Sequence, residues 1–324
     1  MSLLHDTPGV AARGDKITRR EALVRVASLT FSALVVPSTA HSEPAGPSPL
    51  RCSVKAAALE AAVALRKEVL SLRVSLGYSV DTKLDPSASG LIGLPDSSVT
   101  SAAGDLADKR ISASLEWPIR ILELFAEAGV GPGAKAAVCW SGSYPAANIA
   151  LSAAMKALDI NPICIASAAS SQYGANFPDL LWLDMERLLP QQIVPFRSSA
   201  ASLGGRQDNG LNVENPKLLS AAIKRCEIEY LKCRTTSDGI DSRLKIFSSQ
   251  NAGPGEADIF INVGGGSAAI GGTLGRELPT GLFPRKLNPH ITSNVPDCLA
   301  LRYHKVDTPV LNLRSFRRLT GHKE

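Results

Sequence analysis

The 324-residue sequence has few aromatic residues, few histidines and no long apolar run. Aromatic residues make up 5% of the chain and are not interleaved with a basic run, so the sequence does not predict a nucleic-acid-binding surface. The five histidines are too few and too scattered to indicate a histidine-based metal site. No segment is long and apolar enough to predict a helix that spans a bilayer.

Cysteine spacing argues against a structural zinc site, because none of the six cysteines belongs to a C-x-x-C pair. Cys139 and Cys164 lie in apolar runs and are expected in the core. Cys226 and Cys233 fall on one predicted helix, about 10.5 Å apart along its axis, which is too far for a disulfide.

A P-loop is also absent, since the sequence has no G-x-x-x-x-G-K-[ST] motif.

The charge balance permits an acidic partner without requiring one. The formal net charge is +5, and residues 1–40 hold five Lys/Arg against three Asp/Glu, which leaves +3 for the rest (5 − 2 = 3). A surplus this small does not indicate a polyanion-binding surface by itself.

Residues 1–40 have the pattern of a secretory signal. Arg19 and Arg20 precede an uncharged stretch from Val26 to Val36, and Pro37 and small residues follow. The pair resembles a twin-arginine signal, although Ala22-Leu23 stands where Phe-Leu is more usual. We therefore expect an exported protein of the periplasm or cell envelope; an uncleaved membrane anchor and an ordinary flexible N-terminus are the alternatives.

A Pro/Ser/Gly-rich linker is predicted over 41–53, followed by one domain over 54–324 that begins with an amphipathic helix, Val54 to Leu76. Apolar runs that alternate with helical patterns predict an α/β fold, with a mostly parallel, Rossmann-like sheet of about five strands and helices on both faces. The predicted strands cover residues 136–140, 162–166, 193–196, 258–263 and 308–313.

Four of these strands lead into turns of small residues: Ser141–Ser143, Ser167–Ser171, Ser198–Gly205 and Gly264–Ser267. Because the carboxyl ends of parallel strands share one edge, the turns are expected to form one crevice there. Backbone N–H groups and hydroxyls suit a carboxylate or phosphate, although Ser and Gly also simply favour turns. The candidate ligand-binding residues are Ser141, Gly142, Ser143, Asn176, Ser202, Gly204, Gly264, Gly265 and Gly266, with Lys109, Arg110, Arg197 and Arg206 as cationic partners.

A serine hydrolase is a second interpretation. Gly265-Gly266-Ser267-Ala268-Ala269 is one residue away from the G-x-S-x-G elbow. Ser267 would be the nucleophile, His304 the base and Asp297 its orienting group, with Ser143 as an alternative nucleophile. Against this, Asp297 and His304 are only seven residues apart, and His304 suits a surface position.

Two further patterns occur in the sequence. Gly264, Gly266 and Ala269 fit a dinucleotide fingerprint, but no acidic residue closes a strand about twenty residues on, so no cofactor is expected. Asp184 and Glu186 are candidate acid/base residues, or else belong to a solvated helix face.

Six blocks in a fixed order resemble the poly-gamma-glutamate system protein family, over residues 54–313. They are Asp85-Pro86 with Ser89–Gly93, Gly104–Leu106 with Lys109-Arg110, Trp140–Ala146 with Asn148, Tyr173–Asn176 with Trp182–Glu186, Ala201–Gly205 and Phe260–Gly266. The resemblance implies an exported or membrane-anchored bacterial protein that helps to make, export or handle a polyanionic capsule polymer. It implies no catalytic residues.

The chain departs from the family pattern in its signal-like N-terminus and in a basic tail with Arg314, Arg317, Arg318 and Lys323. Three interpretations stay open. The protein binds a carboxylate-rich ligand such as poly-γ-glutamate, or acts on that polymer as a serine hydrolase or acyl transferase, or is a non-catalytic partner of a membrane synthase.

Overall fold

The computed structural model of the protein describes residues 50–321. The predicted signal, 1–40, and most of the predicted linker lie outside that range. The helix after the linker spans Cys52–Ser75, close to the predicted bounds. Within residues 50–321, no helix is long and apolar enough to cross a membrane, and no group of His, Cys, Asp and Glu is suited to a metal ion.

The elements alternate along the chain as expected of an α/β fold. The strands are β1 (Thr100–Ala102), β2 (Lys135–Ser141), β3 (Asn161–Ser167), β4 (Ser170–Ser171), β5 (Asn176–Phe177), β6 (Leu180–Leu181), β7 (Ser198–Ser202), β8 (Glu229–Tyr230), β9 (Ile259–Val263), β10 (Gly281–Leu282) and β11 (Val310–Leu313). The helices are α1 (Cys52–Ser75), α2 (Leu106–Ser112), α3 (Trp117–Glu127), α4 (Pro145–Ala157), α5 (Trp182–Leu188), α6 (Pro216–Arg225), α7 (Thr236–Ser249), α8 (Ser267–Ile270), α9 (Pro289–Asn294), α10 (Leu299–His304) and α11 (Phe316–Leu319).

The main sheet has seven strands in the order β10-β11-β9-β2-β3-β7-β8, and all neighbours are parallel except β10 and β11. This confirms the predicted Rossmann-like α/β fold. The count of about five strands was too low, because β8 and β10 are two-residue edge strands that show no hydrophobic pattern.

The central strand β2 is apolar on both faces because helices cover both faces of the sheet. Ala136, Val138 and Trp140 pack into one core, together with α1, α3 and α4. Ala137 and Cys139 point into a second core, together with α7 and α10. The unbroken apolar run of β2 follows directly from this two-sided burial.

Two predicted elements were wrong. The strand expected at Ile193–Phe196 is a turn, in which the N–H groups of Ile193 and Val194 donate to the carbonyl of Pro190. Pro195 has no N–H to give a sheet, and the strand forms instead at β7, within the small residues predicted as a turn. The helix predicted to carry Cys226 and Cys233 ends at Arg225, before both cysteines, and is followed by β8. All six cysteines are free thiols.

The strand order reverses at β2. The chain continues from β2 to β3 on one side, and β9 later pairs with the other side, with Trp140 opposite Val263. Ligands of such sheets bind outside the carboxyl ends at this reversal. The loops that follow β2 and β9 therefore face the position where a ligand is expected.

Candidate functional site

A cavity of about 920 Å³ lies at the carboxyl edge of the sheet, where the strand order reverses. The structure brings the loops after β2, β3, β7 and β9 together around it. The hydroxyl and glycine residues that line it from these loops are Ser141, Ser143, Ser167, Ser171, Gly205, Gly265, Gly266 and Ser267.

The cavity wall carries more cationic than anionic side chains. Its basic residues are Lys109, Arg206, Arg276, Arg314 and Arg318, and its acidic residues are Asp105, Asp108 and Asp297.

Two of the three carboxylates are already paired at the surface. Asp105 accepts from the Arg317 guanidinium at 3.2 Å, and Asp297 accepts from Arg302 at 2.7 Å. The third, Asp108, is buried and accepts from the backbone N–H of Arg317 at 2.8 Å. The wall therefore presents a surplus of positive charge to the cavity.

Arg314, directly after β11, is the most enclosed of these arginines. Burial and, to a smaller extent, the nearby positive charges of Arg276 and Arg318 together lower its pKa to about 10. Its Nη1 atom is buried and has no hydrogen-bond partner among residues 50–321. A buried donor of this kind is costly unless something accepts from it, and an anion in the cavity would do so.

Lys109 reaches the cavity from α2 and is buried, with 2% of its surface exposed. Its Nζ donates to the carbonyl of Ser143 and lies 2.8 Å from Ser171 Oγ. It also lies 3.6 Å from the centroid of the Tyr144 ring. Burial lowers the pKa of Lys109 to about 7, against the smaller opposing effect of Asp108 and Asp105.

Small residues in the loop after β2 form hydrogen bonds within the loop and with the segment around Ser171 and Ala175. The carbonyl of Gly142 accepts from the N–H of Ala175 at 2.7 Å, and a β-carbon at Gly142 would lie 3.2 Å from the carbonyl oxygen of Ala175. Ser143 Oγ accepts from the N–H of Ser171 at 3.2 Å. Ser141 Oγ accepts from the N–H of Ser143 at 3.3 Å.

The glycines after β9 permit a close approach to that loop. Gly264 has φ +101°, and a β-carbon there would lie 2.5 Å from Ser141 Oγ. Gly265 borders open space, and Gly266 has only ordinary contacts. Of the three, Gly264 is the one whose backbone requires glycine.

Several predicted ligand-binding residues have structural partners instead. Asn176 is fully buried and clamps Leu94, accepting from its N–H at 2.8 Å and donating to its carbonyl at 2.9 Å. Gly204 has φ +74° and no room for a β-carbon beside Ser167. Arg110 donates to the carbonyls of Lys83 and Leu84, and does not line the cavity.

Ser202 belongs to a buried ion pair next to the cavity. Its Oγ donates to Asp208 at 2.7 Å and accepts from Arg243 at 2.8 Å. Asp208 and Arg243 lie 2.5 Å apart and are both buried. Ser202 therefore stabilises this ion pair and is not part of the cavity wall.

The predicted serine hydrolase triad is not assembled. Ser267 Oγ donates to the carbonyl of Gly205 at 2.9 Å, and Asp297 pairs with Arg302. His304 Nε2 lies 2.9 Å from the carbonyl oxygen of Pro284 and outside the cavity wall. Ser267 and Asp297 share the cavity, but no hydrogen bond joins them to His304 in the described part of the chain.

Of the remaining polar candidates, three have structural partners and one lines the cavity. Asp184 and Glu186 are buried, so α5 does not present them as a solvated face. Asp184 pairs with Arg225 at 2.6 Å, and Glu186 accepts from the backbone N–H of Ser198 at 2.9 Å. Arg197 donates to the carbonyl of Leu189, whereas Arg206 lines the cavity.

Sequence reasoning missed Ser171 and Arg314 as members of the site. Ser171 lay within a predicted turn, but nothing in the sequence marked it out from its neighbours. Arg314 follows the last strand directly, and its position at the carboxyl end of that strand is a signal that would have found it.

The chain was compared with family models, curated proteins and solved structures, and none of these matches it.

Proposed function

We propose that the protein is an exported accessory component of the poly-γ-glutamate system and binds a carboxylate-rich ligand in the cavity at the carboxyl edge of its sheet. The resemblance of six ordered sequence blocks supports the system. The charge of the cavity wall supports the ligand class. Membrane components of a poly-γ-glutamate synthase are its proposed partners, and no nucleic acid is involved.

The arginine cluster carries the proposal. Arg276, Arg314 and Arg318 lie close enough for the first and last to lower the pKa of Arg314. Among residues 50–321, no ion pair contains Arg276 or Arg314. Like charges held together are unfavourable, and a bound carboxylate group would relieve their repulsion.

Calorimetric titration with poly-γ-glutamate oligomers tests the proposal. We expect binding that weakens as salt rises, because exposed charges are screened. Arg314→Gln should reduce affinity about tenfold or more, in line with the loss of one charge-assisted hydrogen bond. Arg120→Gln, on the outer helix α3, is the matched control and should bind like the wild type.

The neutral counterpart is an oligoglutamine peptide of the same length, which should not bind. Absence of binding of the glutamate oligomers at low salt would overturn the proposal. Equal loss of affinity in Arg120→Gln and Arg314→Gln would show that the cavity is not the site.

A further inference from the structure

Ser171 and Lys109 form a contact that ligand binding alone does not explain. Lys109 Nζ lies 2.8 Å from Ser171 Oγ, and both residues line the cavity. Across residues 50–321, Lys109 takes part in no ion pair with a carboxylate. A buried ammonium without a carboxylate partner is costly, so burial shifts Lys109 from the ammonium form toward the neutral amine.

A neutral amine at this position can form a hydrogen bond with each of the two oxygen atoms that contact it. It donates one N–H to the carbonyl of Ser143, and its lone pair can accept the hydroxyl proton of Ser171. The centroid of the Tyr144 ring lies 3.6 Å from the same Nζ atom. The nucleophile and its base are thus within the hydrogen-bond reach that activation of a serine requires.

Ser171 is held firmly at the cavity wall. Its N–H donates to Ser143 Oγ at 3.2 Å, and its carbonyl accepts from Ser170 Oγ at 2.9 Å. Strand β4, which contains Ser171, pairs in parallel with β1, with Ala102 opposite Ser171. The backbone of Ser171 is therefore held in place by bonds that do not involve its hydroxyl.

We propose that Ser171 is a nucleophile with Lys109 as its general base, and that the cavity hydrolyses an amide bond of a carboxylate-bearing peptide. The substrate class rests on the proposed function, whereas the dyad rests on the contact itself. This assigns hydrolase chemistry to Ser171 and Lys109 in place of Ser267 and His304.

The step balances without a cofactor. Ser171 Oγ bonds to the carbonyl carbon while its proton passes to Lys109 Nζ. The C–N bond breaks, and the amine leaves with that proton. Water then attacks the serine ester, gives a proton to Lys109 and releases a carboxylic acid, and the proton returns to Ser171 Oγ.

p-Nitrophenyl acetate is the probe, because this small neutral ester needs no carboxylate recognition. After an acid quench, peptide mass mapping should place one acetyl group on Ser171. Ser171→Ala should lose this label, and Lys109→Met should slow labelling by about 100-fold or more, the scale of general base catalysis. Ser249→Ala, on the exposed end of α7, should label like the wild type.

Two further variants separate chemistry from folding. Ser171→Cys keeps a nucleophile of similar size and should label at the new thiol, and circular dichroism should show wild-type folding for each variant. Acetylation of Lys109 or Ser267 in place of Ser171 would overturn the proposal. So would labelling of Ser171 that Lys109→Met leaves unchanged.

The two proposals fail separately. Labelling at Ser171 without binding of glutamate oligomers would retain the dyad and overturn the proposed ligand. Binding of the oligomers without labelling at Ser171 would retain the ligand and overturn the dyad.

Discussion

Gly264 and Ser141 approach so closely that a β-carbon added at Gly264 would lie 2.5 Å from Ser141 Oγ. The contact joins the loops after β9 and β2 at the point where the strand order reverses. Asn262 secures it, because its side chain donates to the carbonyl of Gly264 at 2.7 Å. The position of Ser141, which lines the cavity, thus depends on the absence of a side chain at Gly264.

Gly264→Ala should therefore destabilise the protein and weaken ligand binding together. Its φ of +101° costs an alanine about 1–3 kcal/mol, and the added carbon must displace Ser141. Urea unfolding and titration with glutamate oligomers measure the two effects. Gly131→Ala, in the loop before β2, is the matched control, since a β-carbon there meets nothing within 4 Å and Gly131 lies outside the cavity wall. Equal effects of the two substitutions would contradict this account.

Removing one partner of the buried ion pair between Arg243 and Asp208 should strongly destabilise the folded protein. Arg243→Met leaves the Asp208 carboxylate buried with Ser202 as a partner, and should lose about 3–5 kcal/mol of stability in urea unfolding. Asp208→Asn combined with Arg243→Met removes the uncompensated charge and should be more stable than the single variant. If the double variant is the less stable, the cost does not come from the unpaired charge.

Glu186 should make stability depend on pH in a predictable direction. Burial raises its pKa to about 7 from 4.5, although Ser198 donates to both carboxylate oxygens. The folded state therefore holds a proton that the unfolded state releases between these values. This contribution is fully present below about pH 4.5 and is lost as pH rises through about 7.

Glu186→Gln mimics the protonated form and removes the dependence. Relative to this variant, the wild type should lose about 3 kcal/mol of stability between pH 4.5 and 7. Urea unfolding of both proteins across that range measures the difference, and other titrating groups cancel in the comparison. A difference that stays constant with pH would show that folding leaves the pKa of Glu186 unchanged.

The twin-arginine signal is a prediction from the sequence alone. Replacing Arg19 and Arg20 by lysine should leave the protein in the cytoplasm, because this export route reads the arginine pair. Cell fractionation measures the distribution, and Arg13→Lys, upstream of the pair, is the control. Normal export of the double variant would contradict the assignment.

The sequence predicted the framework of the site from strong, local patterns. The apolar run of β2 and the Gly-rich turn after β9 can be recognised in the sequence without knowledge of tertiary contacts. Parallel topology then places their carboxyl ends on one edge, as observed. The expectation of one crevice depended on nothing more than these two steps.

The contacts within the crevice depend on weaker features. Strand β7 is built from serine and alanine, so it lacks the pattern that the more apolar Ile193–Phe196 segment displays. The approach of Lys109 to Ser171 depends on pairing between β1 and β4, which are three and two residues long. Periodicity cannot indicate strands this short, and the partner of a polar side chain is set by such pairings.

Lys109 gives the dyad a pH profile that a structural lysine would not produce. Burial lowers its pKa to about 7, while the carboxylates of Asp108 and Asp105 oppose the shift; Tyr144 and Ser171 are the other groups that face it. Only the neutral amine accepts a proton, so acetylation of Ser171 should rise about tenfold between pH 6 and 8 and then level off.

Asp108→Asn removes one charge that favours the ammonium form and should move the rise to lower pH. The Asp108 carboxylate accepts from the Tyr144 hydroxyl, and the asparagine oxygen can keep that bond. Rates of acetylation by p-nitrophenyl acetate, corrected for its hydrolysis in buffer, give the profile for both proteins. A rate that does not change across this range, or a midpoint that Asp108→Asn moves upward, would show that Lys109 is not the base.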